Sequence, residues 1–209
     1  MADQLCTTAQ VKARLGITDA TDDTVISELI DEISSWIEGY TGRKLVADAG
    51  ATYTFDTQEG FSLRIPRGIR TVTSMGVATN MSHQPDSGGV YTTIPSHDIL
   101  LRPKAEANDV GWPFFEVWLF RGALTGTISR FPTAQNGCTI TGDFGFATTP
   151  PDIQSVAIDG VVAAKQAMGD GASSVIGADA LAISPWKDFF GIGSPQRKVL
   201  DSYRYWGLT

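Results

Sequence analysis

Histidines and paired acids, the side chains that most often carry acid–base chemistry, offer little for catalysis in this sequence. The chain has only two histidines, His83 and His97, and both lie in or beside polar stretches where a surface histidine is the simpler interpretation. Asp31 and Glu32 are adjacent but lie on what should be a solvated helix face, where nothing would raise a pKa for acid–base work. A hydrolase with two separated carboxylates in the middle of the chain stays open, although no motif indicates one.

Recognisable catalytic motifs are also missing from the sequence. There is no Gly-x-Ser-x-Gly elbow, no His-Glu-x-x-His and no phosphate-binding glycine loop. Asp143-Phe-Gly145 resembles the metal-binding triplet of protein kinases, but no glycine-rich loop or His-Arg-Asp precedes it. We therefore predict that the protein is not an enzyme.

Two groups of residues invite a metal or redox interpretation and do not support it. Cys6 and Cys138 match no metal or redox spacing, so two reduced thiols are expected. Asp19, Asp22 and Asp23 lack the glycine and the distal glutamate of a calcium loop, and helix capping explains them. The sequence predicts no metal and no cofactor.

Composition narrows the class of protein and of partner. The 209 residues carry a formal net charge of −7, with 42% hydrophobic and 19% charged residues, which is typical of a folded globular protein. A protein that grips DNA by charge normally shows the opposite balance, although an acidic surface past which DNA slides is compatible. No apolar run approaches the length of a membrane span, and no signal peptide is evident at the N-terminus, so we expect a cytoplasmic chain without membrane contact.

The best-patterned element is a helix over residues 21–42. Apolar side chains recur at steps of three and four from Ile26 to Tyr40, which places them on one face. Asp22 or Asp23 is expected to cap the first turn, and Gly42 to end the helix in the left-handed conformation. The opposite face carries four acids: Glu28, Asp31, Glu32 and Glu38.

Three further helices are predicted from their end signals. Residues 8–16 form a short helix that begins at Thr7 or Thr8 and ends at Gly16. Residues 149–168 follow a Thr149 cap with Pro150 at the first helical position, and their stripe of small residues should let the 21–42 helix approach closely. The last helix begins at Ser194 and Pro195.

Between the helical ends the sequence reads as a small antiparallel β-domain, a barrel or sandwich. The expected strands cover residues 52–55, 62–65, 71–77, 90–93, 98–101, 114–120, 125–131 and 138–146. Residues 135–137 (Gln-Asn-Gly) are expected to form the turn between the last two. The predicted fold is α+β: a helical unit of residues 1–45 plus 150–209, with residues 46–149 inserted as the β-domain.

Aromatic residues at the C-terminal end are candidates for contact with another subunit or protein. Tryptophan, tyrosine and arginine are enriched at interface hot spots, and a cluster of them closes the chain. Simple closure of the core explains the same residues equally well at this point. The candidates are Trp186, Phe189, Phe190, Tyr203, Arg204, Tyr205 and Trp206.

The helical ends resemble a known family. Residues 8–17, the Asp22-Asp23 pair and residues 33–45 (Ile-Ser-Ser-Trp-Ile-Glu-Gly-Tyr-Thr-Gly-Arg-Lys-Leu) are similar to the head-to-tail connector, or adaptor, proteins of long-tailed bacteriophages. Thr149-Pro-Pro-Asp-Ile153 before an alanine-rich helix, and a last helix ending in Tyr-Arg-aromatic, are similar too. The β-insert departs from the compact, nearly all-helical members and matches the longer ones.

The resemblance implies a structural virion protein of the neck, assembled in the host cytoplasm. Such a protein would form a ring, commonly of twelve subunits, below the portal protein. The ring would extend the channel for passing double-stranded DNA and dock the tail-completion or stopper protein. The acidic helix face would then meet either the channel, where it would repel DNA, or a neighbouring subunit; the sequence leaves both open.

One alternative is a carbohydrate- or cell-surface-binding β-module. It would use Trp112, Trp118 and nearby loops as a platform for sugar rings, and it should act as a monomer.

Overall fold

The chain forms two compact units in a computed structural model. The helical unit comprises residues 1–46 and 148–209, and the β unit comprises residues 47–147. The structure describes residues 3–78, 91–102, 112–120, 128, 130–169 and 189–204. Helices and a sheet thus occupy separate parts of the chain, which confirms the α+β class.

The first helix, α1 (Thr8–Leu15), is fixed at both ends by the residues expected to do so. The Thr7 hydroxyl accepts a hydrogen bond from the backbone N–H of Gln10 at 3.3 Å. The side-chain carbonyl oxygen of Gln10 accepts one from the backbone N–H of Thr7 at 2.8 Å. This reciprocal pair satisfies two free donors of the first turn. Gly16 ends the helix with φ 71°, where a residue without a Cβ is least strained.

The long helix, α2 (Asp23–Thr41), buries the predicted apolar face and ends at Gly42 with φ 65°. The predicted aspartate cap is wrong, because Asp22 makes no side-chain capping bond. Both acids form ion pairs instead: Asp22 lies 3.0 Å from the Lys165 ammonium, and Asp23 lies 2.7 Å from that of Lys12. The acids therefore tie α2 to two other helices rather than closing its first turn.

Close packing of α2 on α3 (Pro151–Gly169) follows from the small residues of α3, as predicted. A Cβ built on Gly160 would lie 2.9 Å from the Phe190 ring and 3.5 Å from Ile33. Even an alanine at this position would therefore require the Phe190 ring to shift. The start of α3 is one residue later than predicted: Pro151, not Pro150, is its first residue. The last helix is α4 (Pro195–Tyr203), with Ser194 as the predicted cap.

The β unit is one antiparallel sheet built around a long strand. Its order is β1-β6-β2-β5-β4, and β3 pairs with β2 outside this order. Strands β1 and β4 end the order and do not pair with each other among the described residues, so the sheet is not a closed barrel. The strands are β1 (Asp48–Thr57), β2 (Ser62–Ala78), β3 (Tyr91–Ile94), β4 (Ile99–Arg102), β5 (Phe114–Leu119) and β6 (Ala134–Phe144).

Two local expectations for the sheet are wrong, and a third falls mostly outside the described residues. Residues 62–65 and 71–77 belong to the single strand β2, which pairs with β5 at one end and β6 at the other. Asn136, with φ 54°, lies inside β6 near a register shift against β1, so residues 135–137 are not a hairpin turn. Phe131, expected in a strand, makes only an isolated bridge with Gly60, while most of residues 125–131 lies outside the described residues.

The core of the β unit comes from alternate residues of its strands. In β2 the buried positions include Leu63 and Ile65 at one end and Met75 and Val77 at the other. Phe144 is fully buried, with the Tyr53 ring edge-on at 4.9 Å.

Among the described helices of the chain, none is long and apolar enough to cross a membrane.

Two glycines in long helices offer a matched test of the α2–α3 packing. A Cβ at Gly39 of α2 meets nothing within 4 Å, so Gly39→Ala should raise the free energy of unfolding by up to about 1 kcal/mol. Gly160→Ala gains the same helix propensity, but its methyl group collides with the Phe190 ring. It should therefore be about 1–3 kcal/mol less stable than Gly39→Ala. Urea unfolding, followed by the circular dichroism signal of the helices, measures both free energies of unfolding. Equal stabilities would contradict the tight contact.

Candidate functional site

A group of stacked aromatic and arginine side chains lies where the end of α2 meets α4. The Trp36 and Tyr40 rings stack with centroids 5.4 Å apart. The guanidinium groups of Arg197 and Arg204 lie 5.0 and 5.2 Å from the centroid of the Tyr40 ring. We call Trp36, Tyr40, Arg197, Asp201 and Arg204 the Tyr40 cluster.

Hydrogen bonds fix the orientation of this cluster. The Tyr40 hydroxyl donates to a carboxylate oxygen of Asp201 and accepts from Nε of Arg197 at 3.2 Å. Positions 197, 201 and 204 share one face of a helix by their spacing, and the Ser194 hydroxyl, which accepts the Arg197 N–H at 3.2 Å, fixes where that helix begins. Neither Tyr40 nor Arg197 was among the predicted contact residues, and the only signal for Arg197 in the sequence is its spacing from Asp201 and Arg204.

Two of the predicted contact residues are core residues of the subunit. Phe190 is 1% exposed and stacks on Trp36 at 4.7 Å, and Tyr203 is 7% exposed. Each fills a gap between helices of the same chain, and a contact role for the candidate residues stays a prediction. Phe189 is half-buried and meets Phe190 edge-on at 5.0 Å. Tyr205, Trp206 and Trp186 lie outside the described residues.

Tyr203 anchors the end of α4 to the start of α3. Its hydroxyl donates to both carboxylate oxygens of Asp152, at 2.9 and 3.0 Å. Burial, and then the hydrogen bond to Asp152, raise the pKa of Tyr203 well above its usual range. The neutral phenol is therefore the form that the folded protein stabilises.

The four acids predicted on one face of α2 are not equivalent in the structure. Glu28 and Glu32 are exposed and stand one helical turn apart. Asp31 accepts a hydrogen bond from the Gln4 amide at 2.9 Å, and Glu38 accepts the Leu45 N–H at 3.2 Å. The role of this face as a channel or neighbour contact stays a prediction.

The two cysteine thiols are buried, and the Asp143 carboxylate is engaged in hydrogen bonds. Burial raises the pKa of the Cys6 thiol to about 11 and that of the Cys138 thiol to about 12, so neither is a ready nucleophile. The pKa of Asp143 is lowered first by a hydrogen bond from the Thr71 hydroxyl and then by the Gly50 N–H, which gives this carboxylate a structural partner. Within the described part of the chain, no three metal-ligating side chains come together.

Among the described residues of the β unit, His97, Trp112 and Trp118 do not converge on one site. His97 is 72% exposed, 3.6 Å from the Asp98 carboxylate, and His83 lies outside the described residues. Trp118 already stacks with the Arg102 guanidinium at 4.7 Å, and Trp112 meets Phe146 edge-on at 5.5 Å. Each indole therefore contacts another side chain, and both rings are half-buried.

Comparison with known proteins points to one class of structural protein. Residues 7–78, which contain α1, α2, β1 and β2, match the family model described as phage gp6-like head-tail connector protein. The predicted resemblance to phage head-tail connectors is confirmed. The match reaches beyond the first helical segment into the sheet, farther than the sequence motifs alone indicated. No curated protein matches the chain.

The complete fold also has counterparts in particles called gene transfer agents, or GTA. The chain resembles a protein in "Neck of empty GTA particle computed with C6 symmetry" with a TM-score of 0.55 and 17% identity. It resembles one in "Neck of native GTA particle computed with C12 symmetry" with a TM-score of 0.53 and 16% identity. Each match covers 97% of this chain and 90% of the other, so helical and β units are both part of the shared fold.

Replacing Tyr203 by phenylalanine tests the bond that anchors α4. The variant should lose about 1 kcal/mol of unfolding free energy near neutral pH, because Asp152 loses its buried donor but remains open to water. The pKa of Tyr203 is higher in the folded than in the unfolded chain, so its contribution is complete below about pH 10 and is lost as pH rises further. In urea titrations at rising pH, the free energies of unfolding of wild type and variant should therefore converge. A gap that stays constant up to the folded-state pKa would contradict this assignment.

Proposed function

We propose that this protein is a structural subunit of the virion neck, the head-to-tail adaptor of a tailed phage or a phage-like particle. The observation that carries the proposal is the match of nearly the whole chain to proteins of a particle neck, together with the connector family match of residues 7–78. A fold can host several functions. Here the family match and the fold match agree, and they come from different properties of the chain.

The proposed assembly is a ring of twelve copies below the portal protein. Necks computed with C6 and C12 symmetry contain the proteins of similar fold, which supports a cyclic arrangement with a twelve-fold or six-fold axis. Subunits of such a ring meet through two different surfaces, and the rotation closes the assembly. The ring extends the DNA channel from the portal and offers its opposite side to the stopper or another tail-completion protein.

A structural role also agrees with the chemistry of the described residues. The Cys6 and Cys138 thiols are buried. Two polar pairs hold helices together: Tyr40 with Asp201, and Tyr203 with Asp152. Hydrogen bonds of this kind fix shape rather than activate a substrate. The proposal therefore includes no reaction and no cofactor.

Mixing the purified protein with its cognate portal tests the proposed function. We expect ring-shaped complexes by negative-stain electron microscopy, with a mass that corresponds to about twelve copies on each portal, as the printed symmetry of the related neck indicates. Mass photometry of the protein alone serves as the control. A protein that stays monomeric with the portal and fails to co-sediment with it would contradict the proposal.

Binding of double-stranded DNA should be undetectable under physiological conditions. The net charge of −7 repels phosphates, and several lysines and arginines are already paired with acids in the folded chain. In an electrophoretic mobility assay at about 150 mM salt, we expect an apparent Kd weaker than about 10⁻⁴ M. Saturable binding that weakens steeply with added salt would mean that a basic surface, and not a passive wall, faces the DNA.

A further inference from the structure

The sheet of the β unit ends in two strands that each pair on one side only among the described residues. Strand β1 pairs with β6, and strand β4 pairs with β5. Each of these edge strands therefore presents a row of backbone N–H and C=O groups on its other side. Such a row is where a strand of another chain can add to a sheet through main-chain hydrogen bonds.

Neither edge strand carries, along its paired segment, the features that usually prevent pairing with another chain. Residues 51–55 of β1 (Ala-Thr-Tyr-Thr-Phe) keep an unbroken register with β6 and contain no charge and no proline. The register shifts of β1 lie on either side of this segment. Strand β4 (Ile-Leu-Leu-Arg) has its one charge at its last residue. Edge strands of monomeric proteins are commonly protected by lysine, proline or a bulge, so these two edges are suited to pairing.

Both edges also leave apolar side chains of the core only partly covered. Core residues of the inner strands, such as Ile140 of β6 and Val117 of β5, are fully buried. The core-facing residues of the edge strands pack against the same cluster but are only partly buried: Tyr53, Phe55, Ile99 and Leu101. A further strand at each edge would cover these side chains and remove more apolar surface from water.

The two edges fit each other in direction and in facing. Four antiparallel pairings lead from β1 through β6, β2 and β5 to β4, so β1 and β4 run in the same direction. Copies in a cyclic ring are related by rotation and meet through two different surfaces. Rotation keeps the direction of strands that run along the ring axis. Strand β4 of one copy can then lie beside β1 of the next as a parallel pair, with both core faces on the same side.

One register places complementary side chains next to each other across this boundary. With Leu101 beside Phe55, the core-facing positions of the two strands coincide. Arg102 then lies beside Asp56 on the opposite face of the sheet, where both residues are exposed. The Asp56 carboxylate accepts the Asn136 N–H at 2.7 Å, and a carboxylate can accept further hydrogen bonds from a guanidinium. Opposite charges at neighbouring cross-strand positions favour this register over others.

We propose that in the ring β4 (Ile99–Arg102) of one copy pairs in parallel with residues 53–56 of β1 in the next copy. The sheets of neighbouring copies are thereby joined edge to edge. The occupant of each edge is a second copy of this chain, selected by strand direction, by the apolar side chains at both edges and by charge complementarity. This inference rests on the proposed adaptor function, and it gives the β unit a role in holding the ring together.

Cysteine cross-linking of the assembled ring tests the pairing. In the proposed register Thr54 and Leu100 are neighbours across the boundary between copies, on the face opposite the core. Full-length Thr54→Cys/Leu100→Cys, assembled on the cognate portal and treated with a short bis-maleimide, should give a ladder of covalent multimers of up to about twelve copies on a denaturing gel. Each single variant should give no ladder. The native thiols of Cys6 and Cys138 are buried, so the introduced cysteines should react first.

Ser62 provides a matched control for the cross-link. It lies in the same cross-strand row as Leu100 but two strands farther from the boundary, on β2. Ser62→Cys/Thr54→Cys should give no ladder, because three strand spacings of about 4.8 Å would separate the two thiols of neighbouring copies. Thermal melting of each variant verifies that the substitutions leave the subunit folded.

Removing the charge of Asp56 tests the register independently. Asp56→Asn keeps an oxygen that can accept the Asn136 N–H but loses the attraction to Arg102. The subunit concentration for half-maximal ring formation on portal should rise about two- to fivefold. Glu59→Gln, at a 72% exposed acid just after β1, is the charge-matched control and should assemble like wild type. If Asp56→Asn assembles like this control, the register is wrong.

The cross-linking outcomes separate this inference from the proposed function. Rings that form on portal without a ladder overturn the edge pairing and leave the adaptor function standing. A ladder from the Ser62 control pair also overturns it, since cross-linking would then not depend on strand pairing. A wild-type protein that forms no ring on portal refutes the proposed function, and the edge pairing with it.

Discussion

The helical unit depends on how closely Phe190 packs between α2 and α3, and Gly160 leaves the space for that ring. The space that a side chain would fill at Gly160 is taken by the Phe190 ring, which also stacks on Trp36. Phe190 is thereby fixed between two helices that are adjacent in space but far apart in sequence. The chain after it, Gly191 to Ser194, leads directly into α4, so the start of α4 is tied to the same contact. Interiors packed this tightly transmit a change of one methyl group to their neighbours.

The position of α4 then follows from polar contacts added to this apolar one. Tyr40 engages Asp201 and Arg197, and Tyr203 engages Asp152, so α4 is bonded near its beginning, middle and end. Each bond is made by a group that is at least partly removed from water, which makes an unpaired partner costly. These contacts also hold Arg197 and Arg204 against the Tyr40 ring. A core substitution near Phe190 is therefore expected to loosen α4 as well as the α2–α3 pair.

Elements that are stabilised by contacts between residues close in sequence were predictable. Periodicity and end signals placed α1 and α2 to within one or two residues, because a helix is stabilised by contacts three and four positions apart. Predictions failed where distant residues decided the outcome. Asp22 and Asp23 pair with lysines of other helices instead of capping. Strand β2 continues through Pro66 and Gly68, although these residue types are typical of a break between two strands. Burial of Phe190 and Tyr203 likewise depends on a gap that only the packed helices create.

Charge is a constraint on the proposed ring. Copies with a net charge of −7 repel one another at long range, but at physiological salt this repulsion is screened beyond about 8 Å. The contacts that would hold neighbouring copies together in the proposed ring therefore have to act at short range. If copies are held side by side on a portal, as proposed, even a modest contact gains from the higher effective concentration. Long-range repulsion in free solution would then favour the proposed assembly over aggregation elsewhere.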